Sequence, residues 1–220
     1  MFTVRIWDLP TRLFHGSLAL CVVGLIITGH VGGDVMAWHF RLGYCVLSLL
    51  LFRVIWGIWG GHWSRWTQFS FHPKHVWDYL QGHSSSQRWV GHNPLGSWSV
   101  LAMLFFLFLQ VSTGLLSDDE IAHAGPLTAL VSGQWVASST AWHKSWGKLI
   151  IVLLVVTHLL ALLWYRFKKH QSLVPAMVHG DKSLPELAPH SKDHALSRLL
   201  ALLSFTLAAV AVAVLLSFGT

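Results

Sequence analysis

Fifteen histidines in 220 residues, several of them inside apolar stretches, are the side chains here best equipped for chemistry. An ionisable group at membrane depth is costly, so it marks a functional site by default. His158 follows His143 by 15 residues, and His30 follows His15 by the same interval. On a helix that interval is about 22 Å of rise and about 60° beyond four full turns, so both rings face one side at two heights. Neutral imidazoles from facing helices suit the two axial positions of a haem iron. Zinc would ask for HExxH or a Cys/His cluster, and neither occurs in the sequence. A proton relay would recruit Asp or Glu inside the apolar stretches, which hold none.

The elements that must position these rings are membrane helices. The chain is 54% hydrophobic and 11% charged, with mean hydropathy +0.55. A soluble domain carries roughly a quarter charged residues. Five apolar segments, 13–31, 38–59, 95–116, 143–165 and 197–218, are long enough to cross, a spanning helix needing ~20 residues. Segments 1–12, 60–94 and 166–196 contain ten Lys or Arg, namely Arg5, Arg12, Arg65, Lys74, Arg88, Arg166, Lys168, Lys169, Lys182 and Lys192. Segments 32–37 and 117–142 and the C-terminal tail contain none, which predicts a cytoplasmic N-terminus and a C-terminus outside.

That topology sets two levels. His15 and His158 fall at the inner level, and His39 and His143 at the outer. An arrangement of His15 and His30 facing His143 and His158 meets the same spacing, and spacing alone leaves both open. Arg53, 14 residues after His39, lies at the inner level, and Arg41 at the outer. A guanidinium pairs bidentately with carboxylates such as haem propionates, which assigns each to the haem at its level; a structural role at the boundary, with Arg53 snorkelling inward, is the alternative.

Cys21 and Cys45 lie in apolar runs and no CxxCH is present, which argues against covalent c-type haem and against a disulfide framework. The stretch Leu13–Val31 is read as a retained span rather than a cleaved leader. The net charge of +6 is spread over short loops, favouring anionic lipid over nucleic acid. Asp118, Asp119 and Glu120 form an acidic outer loop, read as a solvated loop or as one that steers a basic partner. Phe71–Leu80 is expected to be a short amphipathic surface helix. His92, in Gly-His-Asn-Pro, is expected to serve the turn.

The chain resembles the bacterial cytochrome b561 family, in the broad group that includes b-type cytochrome subunits of nickel–iron hydrogenases. The stretches carrying the resemblance run from Val4 to His15 (VRIWDLPTRLFH), from His39 to Tyr44 (HFRLGY), from Phe52 to Gly57 (FRVIWG) and from Gly91 to Gly96 (GHNPLG), together with His143 and His158. They cover roughly residues 4–182. The resemblance implies an all-α integral membrane fold, a four-helix haem-binding transmembrane bundle over 1–182, with 183–220 as linker and fifth, C-terminal transmembrane helix. It implies two haem b groups with ligands His15, His39, His143 and His158, which selects His39 over His30. Gly16 departs from an expected tryptophan, and the 15-residue interval in span 4 departs from the commoner 14. A one-residue slip turns a side chain by about 100°.

The function so implied is electron transfer across the cytoplasmic (inner) membrane, between the quinone/quinol pool and a periplasmic redox partner such as a c-type cytochrome. A membrane-anchor cytochrome subunit of a larger oxidoreductase complex is the alternative, as is a quinone-linked oxidoreductase acting on a small oxidant such as superoxide. The sequence has no nucleotide-binding fingerprint, so dehydrogenase chemistry would reside in a partner. A His-rich metal transporter would show spans broken by Gly or Pro at mid-membrane with acidic residues there, and the sequence shows neither.

Overall fold

The computed structural model describes residues 1–83 and 89–219; Arg88, counted above among the inner-loop cations, lies outside the described residues. In chain order the elements are strand β1 (Phe2–Arg5), α1 (Leu9–Val31), α2 (Met36–Trp59), α3 (Pro73–Leu80), α4 (Pro94–Leu115), α5 (Gly133–Trp142), α6 (Lys148–Phe167), α7 (Val174–His179), strand β2 (Asp181–Leu184) and α8 (Ala195–Ser217). A π-helical turn, His143–Gly147, joins α5 to α6, so one continuous 35-residue helix runs from Gly133 to Phe167. Among the described residues, five helices are long and apolar enough to cross a membrane. Leu20 is 76% exposed and Leu202 61%. Backbone bonding within a helix makes such apolar surfaces compatible with lipid. The all-α integral membrane class expected from the sequence is the class observed.

Span 4 is longer than expected. At 1.5 Å per residue, 35 residues reach about 52 Å, against ~30 Å of bilayer hydrocarbon. The region expected to be loop up to residue 142 becomes helical at Gly133. Ser138, Ser139 and Thr140 lower the hydropathy of this stretch without opposing helix formation, which is why an apolar-run criterion passes over it. The expected surface helix within Phe71–Leu80 is α3, opened by Pro73, with His72 accepting from the Lys74 backbone N–H.

The chain divides into two compact units, each drawn from three segments: Met1–Phe14, Arg53–Ala102 and Leu154–Leu202, and then His15–Phe52, Met103–Leu153 and Leu203–Thr220. In the first, β1 pairs antiparallel with β2, from Phe2 opposite Leu184 to Arg5 opposite Asp181. Residue 182, where the sequence places the end of the core, lies within β2. Val4, Ile6, Trp7, Ala176 and Leu184 form a small apolar core there. Arg5 bonds Asp181 at 2.6 Å and Asp193 at 2.7 Å, and Arg198 bonds Asp193 at 3.0 Å. These contacts tie the segment before α8 to the segment before α1. Ser191 donates to the Ile6 carbonyl at 2.6 Å and reinforces the same join.

Asp8 is fully buried and organises this unit. It caps α1, accepting from the Thr11 N–H at 2.8 Å, and Pro10 occupies the first turn, where no intrahelical donor is missed. Its other oxygen accepts from the Gly61 N–H at 2.8 Å and from Trp56 Nε1 at 3.2 Å. Glycine at 61 is required, because a Cβ there would sit 2.0 Å from Asp8 Oδ2. Asn93 caps α4 in the same way, accepting from the Gly96 N–H at 2.7 Å. The His92 ring lies 4.7 Å from Phe69 and 4.8 Å from Trp7, centre to centre, a packing position beside that cap.

In the second unit, Gly24 receives the Leu42 side chain, Phe52 packs edge-on to Phe205, and Cys21 Sγ lies 3.7 Å from Cys45 Sγ with both thiols free. The acidic loop is held by its own backbone. Asp119 accepts from the N–H groups of His123, Ala122 and Ile121, which keep its carboxyl well below the usual carboxylate range.

Candidate functional site

His39 stands one turn into α2, and His143 opens the π-turn, ten residues into its helix rather than at its start. Both belong to the second unit, and their rings lie 6.1 Å apart, centre to centre, at 84°. Two metal–nitrogen bonds of about 2 Å, plus about 1.1 Å from each nitrogen to its ring centre, would put two imidazoles that hold one iron about 6 Å apart. His39 and His143 would hold a haem iron at such a separation, and the haem would supply a one-electron couple there.

The other ring nitrogens are committed in a way that fits ligation. His143 Nδ1 bonds the Gln110 carbonyl at 2.8 Å, which can only accept, so the proton is on Nδ1 and the Nε2 lone pair is available. His39 Nδ1 lies 3.1 Å from Thr28 Oγ1, whose own hydrogen goes to the Gly24 carbonyl at 2.7 Å. That leaves the threonine oxygen to accept, and His39 takes the same tautomer. A partner on the far nitrogen orients a metal-binding imidazole and raises its basicity.

Two glycines make room for the rings. A Cβ at Gly114 would meet His143 Cε1 at 2.8 Å, and one at Gly29 would meet His39 Cε1 at 3.2 Å. His39 therefore lies against α1 and His143 against α4. His30 is exposed, and its Nδ1 bonds the Ile26 carbonyl of its own helix at 2.8 Å. Of the two outer candidates, the structure brings His39, not His30, to His143.

The remaining candidates are placed as follows. His15 on α1 and His158 on α6 are half-buried and belong to different units. Arg41 is exposed, with its guanidinium 5.1 Å from the centre of the Trp38 ring. Arg53 is 4% exposed and stacks 4.2 Å from the Trp66 ring centre, and its Nη1 is buried with no hydrogen-bond partner. An orphaned buried guanidinium nitrogen fits an anionic group such as a propionate. Among the described residues, no three His, Cys, Asp or Glu side chains converge as a metal cluster.

The π-turn bears on the 15-residue interval. Such a turn holds one residue more than an α-turn. Along the helix His158 therefore follows His143 as if by 14 residues, about 40° short of four turns. Sequence reasoning passed over two residues of the site, Thr28 and Gln110. Gln110 carried a signal, as the lone amide side chain of an apolar span.

Residues 6–180 match the family model described as prokaryotic cytochrome b561. A protein of Cupriavidus necator named as a probable nickel–iron hydrogenase B-type cytochrome subunit is 29% identical, the match covering 82% of this chain and 87% of that one. A protein of the same name from Bradyrhizobium diazoefficiens is 25% identical over 82% and 86% of the two chains. One from Escherichia coli, named for hydrogenase 1, is 22% identical over 81% and 90%. No solved structure matches the chain.

Proposed function

The chain belongs to the prokaryotic cytochrome b561 family, a multi-pass membrane b-type cytochrome of electron transport, and from that premise we propose that it carries two haem b groups and passes electrons across the cytoplasmic membrane between the quinone pool and a redox partner outside. The observation that carries this reading is the His39–His143 pair, with its 6.1 Å separation and both Nδ1 atoms engaged. These two hold the outer haem, and His15 and His158 hold the inner one, at the levels assigned by the loop charges. Haem b would supply a one-electron couple, and held by two histidines it would suit electron passage rather than substrate binding.

The residues have separate tasks. His39 and His143 offer Nε2, kept unprotonated by the bonds at Nδ1. Gly29 and Gly114 allow the rings to approach their neighbouring helices. Arg53 stands at the inner level as the cation for a propionate, and Arg41 at the outer. The orientation, N-terminus in the cytoplasm and C-terminus outside, rests on the ten basic residues of the inner loops.

The partner is a redox protein on the outer side. A c-type cytochrome is the expectation from sequence. The names of the relatives favour the anchor reading, in which this chain is the cytochrome subunit of a larger complex such as a nickel–iron hydrogenase. The test is haem stoichiometry of the purified chain, with a reduced-minus-oxidised spectrum. Two b haems per chain are expected, falling to one in His39→Ala or His143→Ala and to one in His15→Ala or His158→Ala. One haem in the unsubstituted protein, or two retained in His143→Ala, overturns the reading.

A further inference from the structure

Gln110 is held in a way that packing alone does not require. A glutamine inside an apolar span is costly unless its polar atoms are used. Its Nε2 donates to the backbone carbonyl of His143 at 2.9 Å. Its own backbone carbonyl accepts from the His143 ring at 2.8 Å. One residue of α4 therefore grips both the main chain and the imidazole of His143.

The grip coincides with the π-turn. A π-turn interrupts the i→i−4 ladder of its helix, and such turns are found at functional sites. Here the carbonyl at its first residue takes a bond from a neighbouring helix. The amide orientation is dictated by that carbonyl, because turning it over would set Oε1 against another acceptor.

The place for the amide is made at Gly147, the last residue of the same turn. A Cβ there would lie 1.9 Å from Gln110 Oε1 and 2.8 Å from Trp142 Nε1. Gln110 Oε1 and Trp142 Nε1 are both buried without a hydrogen-bond partner. Burying an unpaired acceptor and an unpaired donor costs free energy. The gain that sets against it is the bond to His143.

We propose that the Gln110 side chain, seated at Gly147, is a positioning residue that fixes the register and ring orientation of His143 as a haem ligand. The inference rests on the reading of His143 as a ligand. A π-turn inserts a residue that would otherwise turn His143 by about 100° relative to the helix that follows, and Gln110 locks the turn in the state that keeps the ring against Gly114. His143 Nδ1 donates to the Gln110 backbone carbonyl, so that bond survives substitution of the side chain. The side chain acts on His143 through the main chain.

The experiment uses the full chain, purified in detergent, with three single variants. His143→Ala first identifies which of the two low-spin haem signals, in electron paramagnetic resonance and in redox titration, belongs to this site. Gln110→Leu removes the donor at similar volume. Gly147→Ala leaves Gln110 in the sequence, but its methyl group displaces the flexible amide. The expected result is that both variants keep two haems while the g values and midpoint potential of the haem lost in His143→Ala shift, with the other haem unchanged. Unchanged spectra and potentials in Gln110→Leu, or equal shifts at both haems, overturn the proposal. A shift in Gln110→Leu with none in Gly147→Ala also overturns it, because the amide would then not be held at Gly147. If His143→Ala retains both haems, the ligand assignment itself has failed, and that outcome is distinct from the others.

Discussion

Replacing Asp8 by alanine is expected to remove more stability than any other single change near the start of the chain. The side chain is fully buried and receives three donors: the Thr11 N–H and Gly61 N–H at 2.8 Å each, and Trp56 Nε1 at 3.2 Å. A buried donor left without a partner costs about 1–3 kcal/mol. Three of them give about 3–9 kcal/mol, a large part of the ~5–15 kcal/mol by which folded domains are stable. Asp8→Asn keeps an acceptor for Thr11 but turns an NH₂ towards the donors of Gly61 and Trp56. It loses two bonds of three, about 2–6 kcal/mol. Gly61→Ala should act through the same atoms, since its methyl group would lie 2.0 Å from Asp8 Oδ2. The assay is thermal unfolding of the detergent-purified chain, followed by size-exclusion chromatography. At about 2–4 °C per kcal/mol for a chain of this size, Asp8→Ala should lower the midpoint by roughly 6 °C or more. Asp8→Asn should fall between it and the unsubstituted protein. An Asp8→Ala midpoint within 2–3 °C of the unsubstituted protein, on the same conversion, would refute the reasoning.

The Asp181–Arg5–Asp193 cluster predicts a pH dependence. The hydrogen bond from Arg5 holds Asp181 below its ordinary value. Burial by itself would raise Asp193, but bonds from Arg198, the Leu9 N–H and Arg5 outweigh it and the net direction is down. A lowered carboxyl pKa contributes stability that is present above the unfolded value, about 3.9, and is lost as pH falls through the folded value. Asp193→Asn should therefore cost about 1–2 kcal/mol at pH 7, discounted because Arg198 is half exposed. In thermal unfolding at pH 4 and below the gap from the unsubstituted protein should narrow, and a gap that widens there would contradict the assignment. Arg53→Leu removes a buried cation and should lower the midpoint potential of one haem in redox titration, while Arg53→Lys keeps it closer to its original value. Equal potentials in all three proteins would remove Arg53 from the site.

The five spans and the all-α membrane class are legible in the sequence because lipid imposes a simple rule. Each crossing needs about 20 apolar residues whose backbone bonds close within the helix. The spacing of His143 and His158 along one helix, and of His39 and Arg53 along another, follows from helical rise alone. Other features depended on what lies across from each residue. His30 and His39 have equal standing by spacing, yet only His39 meets His143, because Thr28 and Gly29 receive its ring while His30 bonds its own helix. The extension of span 4 back to Gly133 is built from residues too polar to register as a membrane segment. The π-turn at His143 has no local sequence signature: it is held by Gln110, 33 residues earlier, and by the missing side chain at Gly147. Rise and hydropathy are properties of one helix and can be read from one strand of sequence. Ring orientation, tautomer and turn type are settled by hydrogen bonds between helices, and those exist only once the chain has folded.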